Sequence, residues 1–568
     1  MDTNTRRMTG AEALMNVFLD EGVDTIFGYP GGAIMPVYDK LYDYTDRLNH
    51  VLVRHEQGAV HAAEGYARST GKVGVCMATA GPGATNFVTG IADAMMDSTP
   101  LVCVTAQVNV NNLGTNFFQE ADMISITLPI TKWSYQIASA DEIPVVMAQA
   151  FHIAKEGRPG PVLVSLTRNA QVEMMEYSYN REEAIAQLEI HKTPAGDVYK
   201  EKVAQIAQLL NKAERPLIIA GHGVILSGGC EELKECADKA NIPVAVTLLG
   251  LGAIDQKDPQ YVGMVGMHGN VAPNVMTQKA DVILAIGMRF SDRVTGVVSG
   301  YAPNATIVHV DIDVSEFDKN VKVDIPFHSD AKEFLDTLIG SLEYVERKEW
   351  FELYEEKRKY EIENVMKPQL NSQTLTMAQV VDAVNRSGNK NKVIVTDVGQ
   401  NQMFTARYVA LQGNMGWVTS GGLGTMGFGL PAAIGAQAGN PDSDVVIFTG
   451  DGGLQMNIQE LGTILQSGFP IKIVLLNNTY LGMVRQWQEL FFDRRYSFTH
   501  LANPDFGTLA AAYGIKYARI DKKEQLADAV EQMMQHNGPF FLEAAMTDQE
   551  NVFPMIPAGK TLDDIIFE

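Results

Sequence analysis

The chain reads as an α/β protein built from three doubly wound, parallel-sheet domains. Three observations predict this. Its 568 residues exceed what one hydrophobic core organises, so about three domains are expected. Short apolar runs alternate with amphipathic helical stretches along the whole length, the pattern of parallel sheets covered on both faces. In the clearest case, buried runs at 445–448 and 471–476 flank a helical stretch at 459–466. Gly450-Asp451-Gly452 and Asn477-Asn478 therefore fall at the carboxyl ends of neighbouring strands, where open α/β sheets bind ligands.

The first block runs to about Gln171, and its domain is expected to span 1–180. Strands are expected at 73–78, 101–105 and 162–166, with helices at 11–21 and 59–69. The polar stretch 173–193 reads as a linker. The second block, 194–342, has strand-like runs at 216–220, 244–247, 282–286 and 307–310. A charge-dense helix at 343–366 reads as a solvated connector. The third block begins near Thr374 and carries the Asp451 and Asn478 tips, giving an expected domain of 374–568. The first and third blocks resemble each other in layout, not visibly in sequence.

Composition limits the function classes. Hydrophobic residues make up 46% and charged residues 20%, ordinary for a globular protein. The net charge of −23 argues against nucleic acid and anionic membranes as partners. It leaves an anionic cofactor open, because local residues set that field. The four cysteines (Cys76, Cys103, Cys230 and Cys236) lack metal-ligand spacing. Cys76 and Cys103 sit in apolar runs and read as core residues, which suits a reducing cytoplasm. Residues 1–10 show no apolar core of a signal peptide, and no long apolar run reads as membrane-spanning.

One carboxylate and one amide oxygen, at Asp451 and Asn478, suit a small hard cation that keeps positions for phosphate oxygens and water. Gly450 and Gly452 let a diphosphate approach the backbone. This arrangement resembles the metal-diphosphate motif of thiamin-diphosphate enzymes. Such enzymes also need a carboxylate against the aminopyrimidine, to promote the imino form that removes the proton of the reactive carbon. Glu56 sits where the strand-like Leu52-Val53 run meets a helix, so it can face a cleft. Taken alone it reads instead as a first-turn glutamate favoured by the helix dipole. Arg54 and His55 read as ion-pair partners rather than catalysts.

Further motifs narrow the resemblance. Gly28-Tyr29-Pro30-Gly31-Gly32-Ala33, Arg54-His55-Glu56-Gln57-Gly58-Ala59, Ala80-Gly81-Pro82-Gly83-Ala84-Thr85-Asn86 and Gly157-Arg158-Pro159-Gly160-Pro161 are similar to amino-terminal motifs of the acetohydroxyacid (acetolactate) synthases. Gly266-Met267-His268-Gly269 and Arg289-Phe290-Ser291-Asp292-Arg293 resemble their central motifs. Thr419-Ser420-Gly421-Gly422-Leu423-Gly424-Thr425-Met426-Gly427 and Leu481-Gly482-Met483-Val484-Arg485-Gln486-Trp487 resemble their carboxyl-terminal ones. The set covers nearly the whole chain in order.

The resemblance implies the three-domain fold of the thiamin-diphosphate enzymes and a carboligase. Such an enzyme decarboxylates pyruvate and joins the two-carbon unit to pyruvate or 2-ketobutyrate, opening branched-chain amino acid biosynthesis. Glu56 is then the activating carboxylate of one subunit, while Asp451, Asn478 and the Tyr480 carbonyl hold Mg2+ in the partner. Gln400, Gly424 and Met426 hold thiamin diphosphate. Phe118, Gln119, Met264, Met483 and Trp487 line the 2-ketoacid pocket. Arg158, Gly221, Gly223, Arg289, Arg293 and Asp311 bind FAD in the central domain. Arginines suit its pyrophosphate and Asp311 a ribose. Arg289 alternatively takes the second ketoacid's carboxylate. A homodimer or tetramer with a small regulatory subunit is implied. The sequence departs from the family's usual residues at Arg168, Ala106, Asn116-Phe117 and Asn401. These departures bear on ketoacid preference and inhibitor sensitivity more than on cofactor chemistry.

Overall fold

A computed structural model describes residues 6–188, 196–388, 391–411, 416–546 and 549–567. Three six-stranded sheets organise them, and every pair within these sheets is parallel. The expected α/β class with three parallel sheets is borne out.

The first sheet takes its strands from Thr25–Gly28 to Pro161–Thr167, and the third from Lys392–Thr396 to Phe540–Ala545. Numbering each sheet's strands in chain order, both are arranged 2-1-3-4-6-5. The middle sheet, Pro216–Ala220 to Ile325–His328, is arranged 3-2-1-4-5-6, the order of dinucleotide-binding folds. Its switch point lies between Pro216–Ala220 and Val282–Ile286, which pair along five residues. These two strands match the apolar runs residue for residue, because five consecutive aliphatic or small side chains bury on both faces.

The stretch 173–193 is not the plain linker expected. Met174–Tyr177 pairs antiparallel with Arg6–Thr9, and Arg181–Ile185 forms a short helix. Met175 and Ala184 are buried, and the Tyr177 hydroxyl donates to Asp20 at 2.6 Å, so this polar segment carries enough anchors to fold back. Its end and the expected Pro194 boundary lie outside the described residues. The connector helix also differs. It spans Lys348–Glu361, and its Trp350 and Tyr354 are buried against the middle sheet. Trp350 Nε1 donates to the Pro216 carbonyl at 2.8 Å, and the Tyr354 hydroxyl to the Tyr261 carbonyl at 3.1 Å. Two aromatics on one face outweigh the surrounding charges. Cys76 and Cys103 are fully buried and unbridged, opposite each other on neighbouring strands. Among the described residues no helix is long and apolar enough to cross a membrane.

The first and third sheets meet through two helices, α1 (Glu56–Thr70) and α2 (Gly429–Gly439). Their crossing is set by glycine. A Cβ on Gly435 would lie 1.7 Å from the Ala62 carbonyl oxygen, and one on Gly65 would lie 2.0 Å from that of Ala432. Backbone meets backbone at both points, so no side-chain rotation relieves a clash. We expect Gly435→Val to destabilise the protein by about 3 kcal/mol. Urea unfolding would measure it, and an unchanged midpoint would show that the helices can part freely.

Candidate active site

Strands Asp444–Gly450 and Lys472–Asn477 are neighbours, with Gly450 opposite Leu476. Asp451 opens helix α3 (Asp451–Met456), where the dipole favours a carboxylate. Its Oδ2 accepts from Asn503 Nδ2 at 2.7 Å, whereas its Oδ1 is buried without a protein partner. Burial pushes the Asp451 carboxyl above its ordinary pKa, opposed chiefly by the Asn503 hydrogen bond. Asn478 Oδ1 accepts from the Tyr480 N–H at 3.2 Å, and its Nδ2 donates to Gln400 Oε1 at 3.1 Å. Thr479, at φ +59°, makes the turn that brings Tyr480 beside Asn478.

One small cleft gathers Gln400, Met426, Gly450, Asp451, Gly452, Asn478, Tyr480 and Met483. The wall needs two further glycines, Gly482 from a motif quoted above and Gly453 from none. A Cβ on Gly453 would lie 2.2 Å from Asp397 Oδ1, and one on Gly482 would lie 2.1 Å from Gln400 Oε1. The buried carboxylate of Asp397 accepts from the N–H groups of Val398, Gly427 and Gly429, holding the segment that carries Met426. Asp397 and Asn503 stand far from Asp451 in the chain. No local pattern marks either one.

Glu56 is the first residue of α1, after His55, whose Nδ1 accepts from the Gln57 N–H at 3.2 Å. Its Oε2 accepts from Asn86 Nδ2 at 2.9 Å, and Oε1 stands over Gly83. Glu56 does not line the Asp451 cleft. Phe118 is 82% exposed, and Gln119, at φ +64°, packs against Gly81. Neither lines that cleft or the larger one described next. One chain thus does not bring these three residues to Asp451. Arg54 departs from its expected ion-pair role: its guanidinium donates to the carbonyls of Leu52 and Gly462 and to Gln466 Oε1.

A second cleft, of about 730 Å³, opens at the switch point of the middle sheet and abuts the first along Val398, Gly399 and Met483. Gly223, Arg158, Arg289, Arg293 and Asp311 line it, as do Gly424, Met264 and Trp487. Gly221 and Gly223 interlock with Gly287. A Cβ on Gly221 would lie 2.2 Å from the Gly287 carbonyl oxygen, and one on Gly223 would lie 2.7 Å from the Gly287 Cα. Arg158 is already paired, with Glu316 at 2.9 Å and Asp313 at 3.3 Å. Arg293 is exposed and pairs with Asp292. Arg289 is a half-buried cation of the cleft; burial, then the nearby Arg158 charge, lowers its pKa from the ordinary value. Asp311 accepts from the Asp313 N–H at 2.8 Å. His222, which no sequence pattern marks, and His268, which falls in the Gly266-Met267-His268-Gly269 motif, also line the wall. Burial drives both down to about 3, so both are neutral.

The Ser420–Thr425 segment between the clefts is fixed by two aspartates one helical turn apart. Asp93 Oδ1 accepts from Ser420 Oγ at 2.6 Å and Thr425 Oγ1 at 2.9 Å. Asp97 accepts from the N–H groups of Gly421 and Gly422 at 2.9 and 2.6 Å. The sequence offers no sign of this clasp.

Comparison with known proteins agrees with this layout. Residues 8–126 match the family described as "Thiamine pyrophosphate enzyme, N-terminal TPP binding domain". Residues 203–338 match its central domain and residues 397–544 its C-terminal TPP binding domain. The chain is 42% identical to the acetolactate synthase isozyme 2 large subunit of Escherichia coli K12, over 98% of this chain and 99% of that protein. It is 43% identical to a probable acetolactate synthase large subunit of Methanococcus aeolicus, over 98% of this chain and 95% of that one. It is 42% identical to the acetolactate synthase large subunit of Corynebacterium glutamicum, over 98% and 90%. With similarity at this level along nearly its entire length, the chain belongs to the acetolactate synthase large-subunit family of thiamine pyrophosphate enzymes.

Proposed function

We propose that the chain is the catalytic subunit of an acetolactate synthase, joining the two-carbon unit of pyruvate to a second 2-ketoacid in branched-chain amino acid biosynthesis. The observation that carries this is family membership along 98% of the chain, together with Glu56, Asp451 and Asn478 at the positions the chemistry requires. Bound thiamin diphosphate supplies a nucleophilic ring carbon and an electron sink, which lets pyruvate lose carbon dioxide and pass on its two-carbon unit. Glu56 holds and returns one proton at that cofactor's ring. Asn86 engages its Oε2 and so fixes the direction of the carboxylate.

Asp451 fits a magnesium ligand, because its Oδ1 is a buried oxygen that no protein donor satisfies. Asn478 and the Tyr480 carbonyl complete the protein's share of the ligand set. Gly450 and Gly452 keep the wall open for the diphosphate, and Gln400 and Met426 flank it. Completion by a second copy of the chain is supported by the separation of Glu56, Gln119 and the exposed Phe118 from this cleft. The relatives' large-subunit names support a smaller regulatory partner.

The larger cleft fits FAD. Its interlocked glycines at a 3-2-1-4-5-6 switch point leave room for a dinucleotide backbone, and Arg289 offers a charge for the pyrophosphate. Arg158 and Arg293 act through the acidic partners they already hold. The flavin is structural, because the reaction has no net redox step. Met264, Met483 and Trp487 form the apolar side of the ketoacid pocket, where the cleft meets the diphosphate site.

Incubation with pyruvate, magnesium, thiamin diphosphate and FAD should yield acetolactate. Glu56→Gln should bind cofactor yet lose most of this product, since an amide cannot take up the proton. Stoichiometric peroxide in its place would instead mark a pyruvate oxidase. Asn503→Ala should weaken magnesium-dependent cofactor binding about tenfold or more, because it frees Asp451 to turn from its ligand position. Parental affinity in a titration would remove Asn503 from the metal's support. Protein purified without added flavin should contain FAD or regain activity with it; full activity with neither sinks the flavin assignment. With pyruvate and 2-ketobutyrate competing, Trp487→Leu should lower preference for the longer acceptor about fourfold, the worth of one buried methylene. An unchanged product ratio would exclude Trp487 from the pocket.

A further inference from the structure

Glu460 is completely buried where the first and third sheets adjoin. It closes the turn Ile458–Glu460 and leads into helix α4 (Leu461–Ser467). A buried carboxylate needs donors. Here they come from the backbone in front of Glu56. Oε1 accepts from the N–H groups of Arg54 at 3.0 Å and His55 at 3.1 Å. Oε2 accepts from Thr463 Oγ1 at 2.6 Å and also from the Arg54 N–H at 3.2 Å. Gly58 packs so closely that a Cβ there would lie 2.7 Å from Oε1. Thr463 Oγ1 also reaches the Leu52 carbonyl, at 3.3 Å. Strand Asn49–Leu52 ends at Leu52 and α1 begins at Glu56. The clasp therefore holds the whole turn between them.

The other side of Glu460 leads towards the diphosphate cleft. Its N–H donates to the Asn457 carbonyl at 3.0 Å, and Asn457 Nδ2 donates to the Gly427 carbonyl, next to Met426, at 2.7 Å. A short run of hydrogen bonds thus joins the cofactor-lining segment of one chain to the Glu56 junction of the same chain.

The geometry points to Glu460 as a positioning residue for Glu56. Its carboxylate fixes the backbone from which the activating glutamate projects, and ties it to the chain's own diphosphate-side segment. This rests on the carboligase reading given above. In that reading Glu56 serves the thiamin site it shares with a second copy, so Glu460 sets the geometry of a site to which its own Asp451 does not belong. Displacing a catalytic group by about 1 Å can cost up to about a hundredfold in rate, so the clasp matters without touching the cofactor.

Three measurements on the assembled, full-length protein test this. The first is exchange of the thiamin C2 proton for deuterium, followed by nuclear magnetic resonance. The second is cofactor affinity by titration. The third is amide hydrogen exchange of cofactor-free protein across residues 53–60. Glu460→Ala should slow C2 exchange about tenfold or more, hold cofactor affinity within about twofold, and speed amide exchange at 54 and 55. Glu460→Asp keeps the charge on a shorter arm and should slow C2 exchange in the same way. Glu460→Gln keeps an oxygen for Arg54 and His55 and should restore most of the parental rate. Parental C2 exchange in both Ala and Asp variants would overturn the assignment. So would cofactor affinity that falls in step with exchange, since Glu460 would then serve the fold alone. A parent protein that does not exchange C2 at all would overturn the carboligase reading instead.

Discussion

The close crossing of α1 and α2 is the constraint on which the rest depends. With glycines at the contact points, the backbones of the two helices touch, and the first and third sheets stand at one fixed separation. Only at that separation do short acidic side chains reach across. Asp93 and Asp97 reach the Ser420–Thr425 segment, and Glu460 reaches the Arg54–His55 backbone. These bonds are mostly to N–H groups and hydroxyls, not to cations. A carboxylate that accepts from backbone N–H fixes direction as well as distance, which a mobile lysine or arginine does less well.

The sequence is most legible where burial is two-sided. Strands 216–220 and 282–286 coincide with their apolar runs to the residue because a central parallel strand is apolar throughout. Two of the edge strands leave no such run. Trp133–Ile137 carries polar Ser134 and Gln136, and Lys516–Ile520 carries Lys516 and Arg519, since an edge meets water. The stretch 173–193 reads wrongly for a related reason. Its few anchors, Met175, Tyr177 and Ala184, are diluted by charge, and the partner strand lies far away in the chain, at Arg6–Thr9.

The site divides in the same way. Asp451, Asn478 and Glu56 lie at strand-to-helix junctions, and a local pattern of an apolar run ending near a polar tip marks each of them. Asn503, Asp397, Asp93 and Glu460 act across long stretches of chain. In the sequence each is one acidic or amide residue among many. Arg158 shows the converse. Its residue type suggests an anion, yet Glu316 and Asp313 already surround the guanidinium. A residue's type gives its capacity, and only its neighbours show how much of that capacity is committed.

The first and third sheets share one strand order and place different chemistry at equivalent ends. After its third strand the third sheet presents Gly450 and Asp451; after the corresponding strand the first sheet presents Ala80-Gly81-Pro82-Gly83, with Gly83 beneath Glu56. One loop supplies a buried oxygen with no protein partner, and the other places Gly83, which has no side chain, against Glu56. Repeated topology therefore fixes where loops emerge, while loop sequence decides what they do there. The two halves differ: a buried carboxylate oxygen that no protein donor satisfies on one, and a glycine under the Glu56 carboxylate on the other. Glu56 and Asp451 do not line one cleft within the chain. A chain built this way gains from bonds, such as those of Glu460, that keep its two unlike ends in register.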